Sequence, residues 1–128
     1  MGNNVLVVDD DAGIIVALKE LLSDEGYEVF VASSGAEALD ILENNSIPVI
    51  ITDIQMPQMN GIQLCHKIRE YDQISVVIAM TGNSKFFEFA NCREEGFDDY
   101  LKKPFDPAKF IGLVEYSTDK VKRWKELF

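Results

Sequence analysis

Histidine, tryptophan and cysteine are scarce in this chain of 128 residues, with one, one and two copies. A single histidine leaves no Ser/His/Asp set and no histidine-rich metal site to assemble. His66 lies among Cys65, Lys67 and Ile68 on a helical pattern and reads as a surface side chain. Cys65 and Cys92 are too few for a disulfide scaffold and too far apart for metal-ligand spacing, so they read as small buried or half-buried apolar groups. Long apolar runs are missing as well: Ile47 to Ile51 is far below a membrane span. The start MGNN has neither a basic flank nor a signal-peptide apolar region, which gives the expectation of a cytoplasmic protein with no membrane contact. Cations are few, 12 Lys and Arg against 22 Asp and Glu, for a formal net charge of -10. Such a surface repels a phosphate backbone, so direct nucleic-acid binding is not expected, and anionic membranes are disfavoured for the same reason. Internal repeats, low-complexity tracts and Pro/Gly/Ser linkers are absent, so residues 1–128 read as one domain.

What is present is alternation. Val5 to Val8 is a continuous apolar run, the mark of a strand buried on both faces. Ile14, Leu18, Leu21 and Leu22 follow at helical spacing, and Gly26 stops that helix. Glu28 to Ala32 is a second strand. Ser34-Gly35 opens a helix with Ala38, Leu39 and Leu42 inward, ending near Asn44-Asn45. Pro48 to Thr52 is a third strand, followed by the loop Gln55 to Gly61 and a helix carrying Leu64, Cys65 and Ile68. Ser75 to Ala79 is a fourth strand, Lys85 to Glu95 a helix closed by Gly96, and Asp99 to Lys102 a fifth strand. Asp106 and Pro107 give the N-cap and first turn of a last helix through Phe110, Ile111, Val114, Val121 and Trp124. Strands alternating with helices predict a doubly wound α/β fold, a (βα)5 three-layer sandwich whose parallel sheet has the order 2-1-3-4-5.

In such a sheet ligands bind beyond the carboxyl ends of the strands. Asp9, Asp10 and Asp11 follow strand one, Asp53 strand three, Thr81 strand four and Lys103 strand five, so these positions converge on one rim. Asp11 also reads as a helix N-cap. Clustered carboxylates raise one another's pKa unless a cation neutralises them. The donors are hard oxygens with no thiolate or imidazole among them, which favours Mg²⁺, or Mn²⁺, over zinc. A carboxylate is also a nucleophile toward phosphorus, and phosphoryl transfer needs a metal, a cation and hydrogen-bond donors. Lys103 supplies the cation and Thr81 a hydroxyl.

Four motifs, in this order and each at a strand end, carry a resemblance. They are Val5-Leu6-Val7-Val8-Asp9-Asp10-Asp11, Thr52-Asp53-Ile54-Gln55-Met56-Pro57-Gln58-Met59-Asn60-Gly61, Met80-Thr81-Gly82, and Gly96-Phe97-Asp98-Asp99-Tyr100-Leu101-Lys102-Lys103-Pro104-Phe105. Over essentially its whole length the chain resembles the receiver domains of two-component response regulators, in particular the single-domain chemotaxis type, whose fold is flavodoxin-like. The resemblance implies that Asp53 is the phosphoacceptor. It implies that Asp10, Asp53 and the backbone carbonyl of Gln55 bind Mg²⁺, with Asp9 acting through a metal-bound water. Thr81 would hydrogen-bond a phosphoryl oxygen and Lys103 would ion-pair with another. Tyr100 matches an aromatic switch position coupled to Thr81, and Lys103-Pro104 would be cis. Gln55 and Asn83 occupy positions that tune phosphate lifetime. The implied partners are a sensor histidine kinase or histidine phosphotransferase, and a downstream protein or second copy on the face of helix 4, strand 5 and helix 5. The implied role is a phosphorylation-dependent switch rather than an enzyme, with a phosphorelay intermediate, or a receiver cut from a larger regulator or hybrid kinase, as the alternative.

Two other readings fit less well. A metal-dependent phosphatase with an aspartyl nucleophile needs a second acid two residues later, where this chain has Gln55. A flavodoxin-type electron carrier needs a phosphate-binding loop after strand one, where Asp9 to Asp11 would repel the flavin phosphate. Phe86, Phe87 and Phe89 span too wide an arc of one helix to share a core stripe, so at least one, Phe89, is expected to stay exposed beside Tyr100. Lys120 to Lys125 is a basic patch on an acidic chain. It reads as a solvated helix face with Val121 and Trp124 turned inward, or as a partner-docking turn or the start of a linker.

Overall fold

A computed structural model describes residues 3–82 and 89–127. The elements are β1 (Asn4–Val8), α1 (Ala12–Asp24), β2 (Glu28–Ala32), α2 (Gly35–Asn44), β3 (Val49–Asp53), α3 (Gly61–Arg69), β4 (Val76–Thr81), α4 (Phe89–Glu94), β5 (Asp99–Lys102) and α5 (Pro107–Leu127). The five strands form one parallel sheet in the order β2-β1-β3-β4-β5, as the alternation of elements predicts. Chain direction reverses its progress across the sheet between β1 and β3, which opens the crevice where the acidic residues gather.

The apolar runs are continuous because both faces of the sheet are covered. Leu6 and Val8 of β1, Ile50 of β3 and Val77 and Ala79 of β4 join one core with Leu64, Cys65 and Ile68 of α3 and Cys92 of α4. Their neighbours Val5, Val7, Val49, Ile51, Val76, Ile78 and Met80 point the other way, onto Leu18 and Leu22 of α1 and Phe110, Val114 and Val121 of α5. A period of two along each strand thus feeds two separate apolar layers. Both cysteines are fully buried, and burial pushes their thiols up to about 11 for Cys65 and about 12 for Cys92, which makes them apolar filler. His66 is exposed and pairs with Glu95 across the α3–α4 side.

Helix ends follow their punctuation. Asp11 Oδ1 accepts the Gly13 and Ile14 amides at 2.9 and 3.4 Å and caps α1. Gly26 and Gly96 take φ of 90° and 101°, the left-handed geometry that ends α1 and α4. Asn60 and Gln63 form a reciprocal capping box on α3. Asp106 caps α5, accepting the Ala108 amide at 3.4 Å. Strand ends shift from the sequence reading, because partners decide them. β3 starts at Val49, after Pro48, which has no amide to give, and runs to Asp53 opposite Met80. β4 starts at Val76, because Asp72 Oδ1 holds the Ile74 and Ser75 amides in a turn. It continues to Thr81, which pairs with Lys102. The fourth helix is described from Phe89 to Glu94; residues 85–88, with Phe86 and Phe87, and the side chain of Phe89 lie outside the described residues, as does Asn83. No helix among the described residues is long and apolar enough to cross a membrane.

Candidate functional site

The rim residues converge at the carboxyl ends of β1, β3, β4 and β5. Asp9 leaves β1 with its amide bonded to Ala32 O of β2 at 3.1 Å, and its carboxylate is 1 % exposed. One of its oxygens, Oδ1, accepts the Asp11 amide at 2.9 Å. Asp53 is the last residue of β3 and is 7 % exposed, while Asp10 is open to solvent. Asp9, Asp10 and Asp53 each bring one carboxylate oxygen within 4.8 Å of the others. Asp11 does not join them, because its carboxylate is spent on the α1 cap.

Lys103 crosses the rim from the β5–α5 loop. Its amide donates to Thr81 O at 2.7 Å, and its Nζ reaches Asp9 Oδ2 at 2.9 Å and Asp53 Oδ1 at 3.6 Å. The ammonium thus bridges two carboxylates. The following Lys103-Pro104 bond is cis. Thr81 is buried at the end of β4, and Tyr100 on β5 is half-buried against the core layer of α3 and α4.

Electrostatics follow from this geometry. Burial raises the pKa of Asp53 above its ordinary value, and the charge of Asp9 and, more weakly, that of Asp10 add to the rise. The Lys103 ammonium and an amide bond from Gln55 pull the other way without cancelling it. Three carboxylates against one ammonium leave the rim short of positive charge. The donors are hard oxygens, and His66, Cys65 and Cys92 are held elsewhere in the fold. That set fits a hard divalent cation such as Mg²⁺ or Mn²⁺ and does not fit zinc.

Two supporting features escaped the sequence reading. Gly61, the first residue of α3, sits against the end of β3: a Cβ there would stand 2.3 Å from Asp53 O and 2.9 Å from Ile54 Cα. The Asn60-Gly61 pair at a helix start was the available signal. Arg69 ties three segments together, donating to Gly96 O at 2.9 Å, Ser75 O at 2.8 Å and Asp98 Oδ2 at 2.7 Å. Asp98 Oδ2 also accepts the Val77 amide at 2.9 Å, which locks the start of β4 to the approach to β5. Nothing in local spacing announces that pair.

The chain is similar to known proteins in sequence and in fold. Residues 5–115 match the sequence model of the response regulator receiver domain. The Bacillus subtilis alkaline phosphatase synthesis transcriptional regulatory protein PhoP is 35% identical over 115 residues, which cover 90% of this chain and 48% of that protein. The Staphylococcus aureus transcriptional regulatory protein SrrA is also 35% identical over 115 residues, covering 90% of this chain and 47% of its own. The chain therefore spans about half the length of the curated relatives it matches. Among solved structures, a response regulator receiver domain protein from Clostridium thermocellum is 35% identical with a TM-score of 0.84, each chain covered to 98%. A CheY-like receiver domain protein from Methanospirillum hungatei is 29% identical with a TM-score of 0.88, covering 94% of this chain and 97% of that one. With the fold and these relatives in agreement, the chain belongs to the receiver domain family of two-component response regulators, a signalling module rather than a classical enzyme.

Proposed function

We propose that residues 1–128 act as one receiver domain in the cytoplasm that takes a phosphoryl group onto Asp53 from a sensor histidine kinase or histidine phosphotransferase. The observation that carries this reading is a buried carboxylate at the end of β3, set between Asp9, Asp10 and the Lys103 ammonium. An Asp53 carboxylate oxygen attacks phosphorus in line. The P–N bond to the donor imidazole breaks, its electron pair returns to the ring nitrogen, and an acyl phosphate forms on Asp53. Lys103 exchanges its bonds to Asp9 and Asp53 for a phosphoryl oxygen, and the Thr81 hydroxyl donates to another. Asp10, Asp53 and the Gln55 carbonyl would hold Mg²⁺, with Asp9 acting through water, and the ion when bound would supply charge compensation for the phosphoryl oxygens. The apolar groove between α1 and the β5–α5 loop, about 510 Å³ with Lys103 at its edge, gives a protein donor a seat beside Asp53.

Engagement of Thr81 draws Tyr100 inward and biases the face of α4, β5 and α5 toward its downstream partner or a second copy. Water attack on phosphorus then breaks the bond to the Asp53 oxygen, releases orthophosphate and resets the carboxylate. A net charge of -10 supports protein partners over direct nucleic-acid or membrane contact. Because the curated relatives are about twice as long, a receiver working inside a longer regulator, or in a phosphorelay, is the second reading.

Acetyl phosphate with Mg²⁺ should add one hydroxylamine-labile phosphoryl group, and Asp53→Asn should abolish it. Equal labelling of that variant would remove Asp53 from its role. Metal binding has its own readout. At Mg²⁺ about ten times its Kd, linkage stabilises the fold by about 1.4 kcal/mol, a rise of about 5 °C in melting temperature. Asp10→Ala should blunt that rise; an unchanged Mg²⁺ titration would remove Asp10 from the metal site.

A further inference from the structure

The loop between β3 and α3 carries Gln55 beside the carboxylates, yet its own backbone does little to hold it. Its flanks are tied: the Ile54 amide donates to Met80 O at 3.0 Å and the Gly61 amide to Ile54 O at 2.9 Å. Among the described residues, residues 55–59 make no hydrogen bond to other backbone groups; the Gln55 amide donates to the Asp53 carboxylate. Gln58 takes φ of 66°, a left-handed conformation that a non-glycine residue holds when its surroundings impose it. Side chains therefore do the fastening. Met56 is 8% exposed and belongs to the core layer of α2 and α3. Met59 packs against the same layer, and its Sδ lies so close to Gly35, the first residue of α2, that a Cβ there would stand 2.6 Å from it.

Met59 is also the accessible one of these sulfurs. The sequence has four methionines, Met1, Met56, Met59 and Met80. Met1 lies outside the described residues, Met80 is fully buried in β4, and Met56 is nearly so. Met59 is half-buried and borders a surface cavity of about 390 Å³ with Gln58, Gln63, His66, Lys67 and Glu70. The thiols of Cys65 and Cys92 compete poorly for an oxidant, because both are fully buried and burial keeps them from ionising near neutrality. A thioether needs no deprotonation to react.

We propose that Met59 is a modification site for hydrogen peroxide, and that its sulfoxide unfastens the loop between β3 and α3. A sulfur lone pair attacks one peroxide oxygen and the O–O bond breaks. The other oxygen takes up a proton and leaves as water, so that sulfur is oxidised by two electrons and peroxide is reduced. The sulfoxide oxygen cannot stay where Sδ packs on Gly35 and the apolar layer without burying an unpaired polar group. The side chain leaves for solvent, and residues 55–59 lose one of their two anchors. The consequence for Mg²⁺, a weaker hold through the Gln55 carbonyl, rests on the metal reading proposed above.

The intact chain is treated with graded hydrogen peroxide, freed of it, mapped by mass spectrometry and melted with and without Mg²⁺. The Met59 peptide should gain one oxygen well before those of Met56 and Met80, with Cys65 and Cys92 unmodified. The melting temperature should then fall by about 4 °C without metal, and the Kd for Mg²⁺ should rise about fivefold. Treatment with methionine sulfoxide reductase should restore both. Met59→Leu, which keeps the volume and has no sulfur, should make the chain indifferent to peroxide, and Met59→Gln should reproduce the loss without it. Oxidation of Met56 or Met80 at the same rate as Met59 overturns the proposal. So does a Met59 sulfoxide that leaves the melting temperature unchanged, or a Met59→Leu chain that peroxide still destabilises. An untreated chain with no Mg²⁺ response removes the metal reading instead, and the mapping and the melting without metal still decide the role of Met59.

Discussion

Gly61→Ala should lower the stability of this protein by about 3 kcal/mol, the upper end of what forcing a methyl group into a filled site costs. The methyl would stand 2.3 Å from the carbonyl oxygen of Asp53 and 3.0 Å from its carbonyl carbon. Neither atom can retreat easily. Asp53 pairs with Met80 in the sheet, and the next amide, Ile54, donates to Met80 O at 3.0 Å. The helix must move instead, yet α3 buries Leu64, Cys65 and Ile68 completely, and Gly61 itself donates to Ile54 O at 2.9 Å. Thermal melting should fall by roughly 10 °C. Phosphorylation by acetyl phosphate should also drop, since the displaced backbone is that of the proposed acceptor. Gly112→Ala is the control: nothing lies within 4 Å of its Cβ position on α5, so helix propensity alone should stabilise the chain by about 1 kcal/mol. Equal melting of the two variants would show that the helix start is not clamped to β3.

Legibility from sequence divided along a physical line. Strand cores were readable because two-sided burial writes an uninterrupted apolar run, as in Val5 to Val8, whose members alternate between the two layers. Helix ends were readable where one residue type has a local reason, as at Asp11, Gly26, Gly96 and Asp106. The gathering of Asp9, Asp10, Asp53 and Lys103 was readable only through topology, since parallel strands bring their carboxyl ends to one side. Strand ends at Asp53 and Thr81 were placed early because their last pairings depend on Met80 and Lys102 in other strands. The Arg69–Asp98 pair, 29 residues apart, has no local signature at all. Lys103 shows the same limit inside the site: its residue type marked it as a cation for phosphate, but its hold on Asp9, 94 residues away, is a property of the folded rim.

That hold sets the second large effect. Lys103→Met removes the ammonium and leaves Asp9, almost fully buried, facing Asp53 without a counter-ion. Breaking a buried pair from one side costs about 3 kcal/mol in the absence of metal. The cost depends on pH with a definite sign. The pKa of Asp53 is already raised in the folded state, so between the ordinary carboxylate value and that raised value the native chain binds more protons than the unfolded one. Stability therefore falls as pH rises through that window. Loss of Lys103 removes a cause that lowers the Asp53 pKa, so the window widens upward and the variant loses more stability on the way to neutrality. Urea titrations with chelator present, at acidic and neutral pH, should show the variant's deficit growing with pH. Adding Asp53→Asn to Lys103→Met should recover part of the loss, because one of the two opposed charges is then gone, and the two changes should not add. Mg²⁺ should also recover part of it by neutralising the same carboxylates. A deficit that is constant with pH, additive with Asp53→Asn and indifferent to Mg²⁺ would mean that Lys103 contributes packing alone. The rim would then lack the charge coupling that the proposed phosphoryl transfer to Asp53 requires.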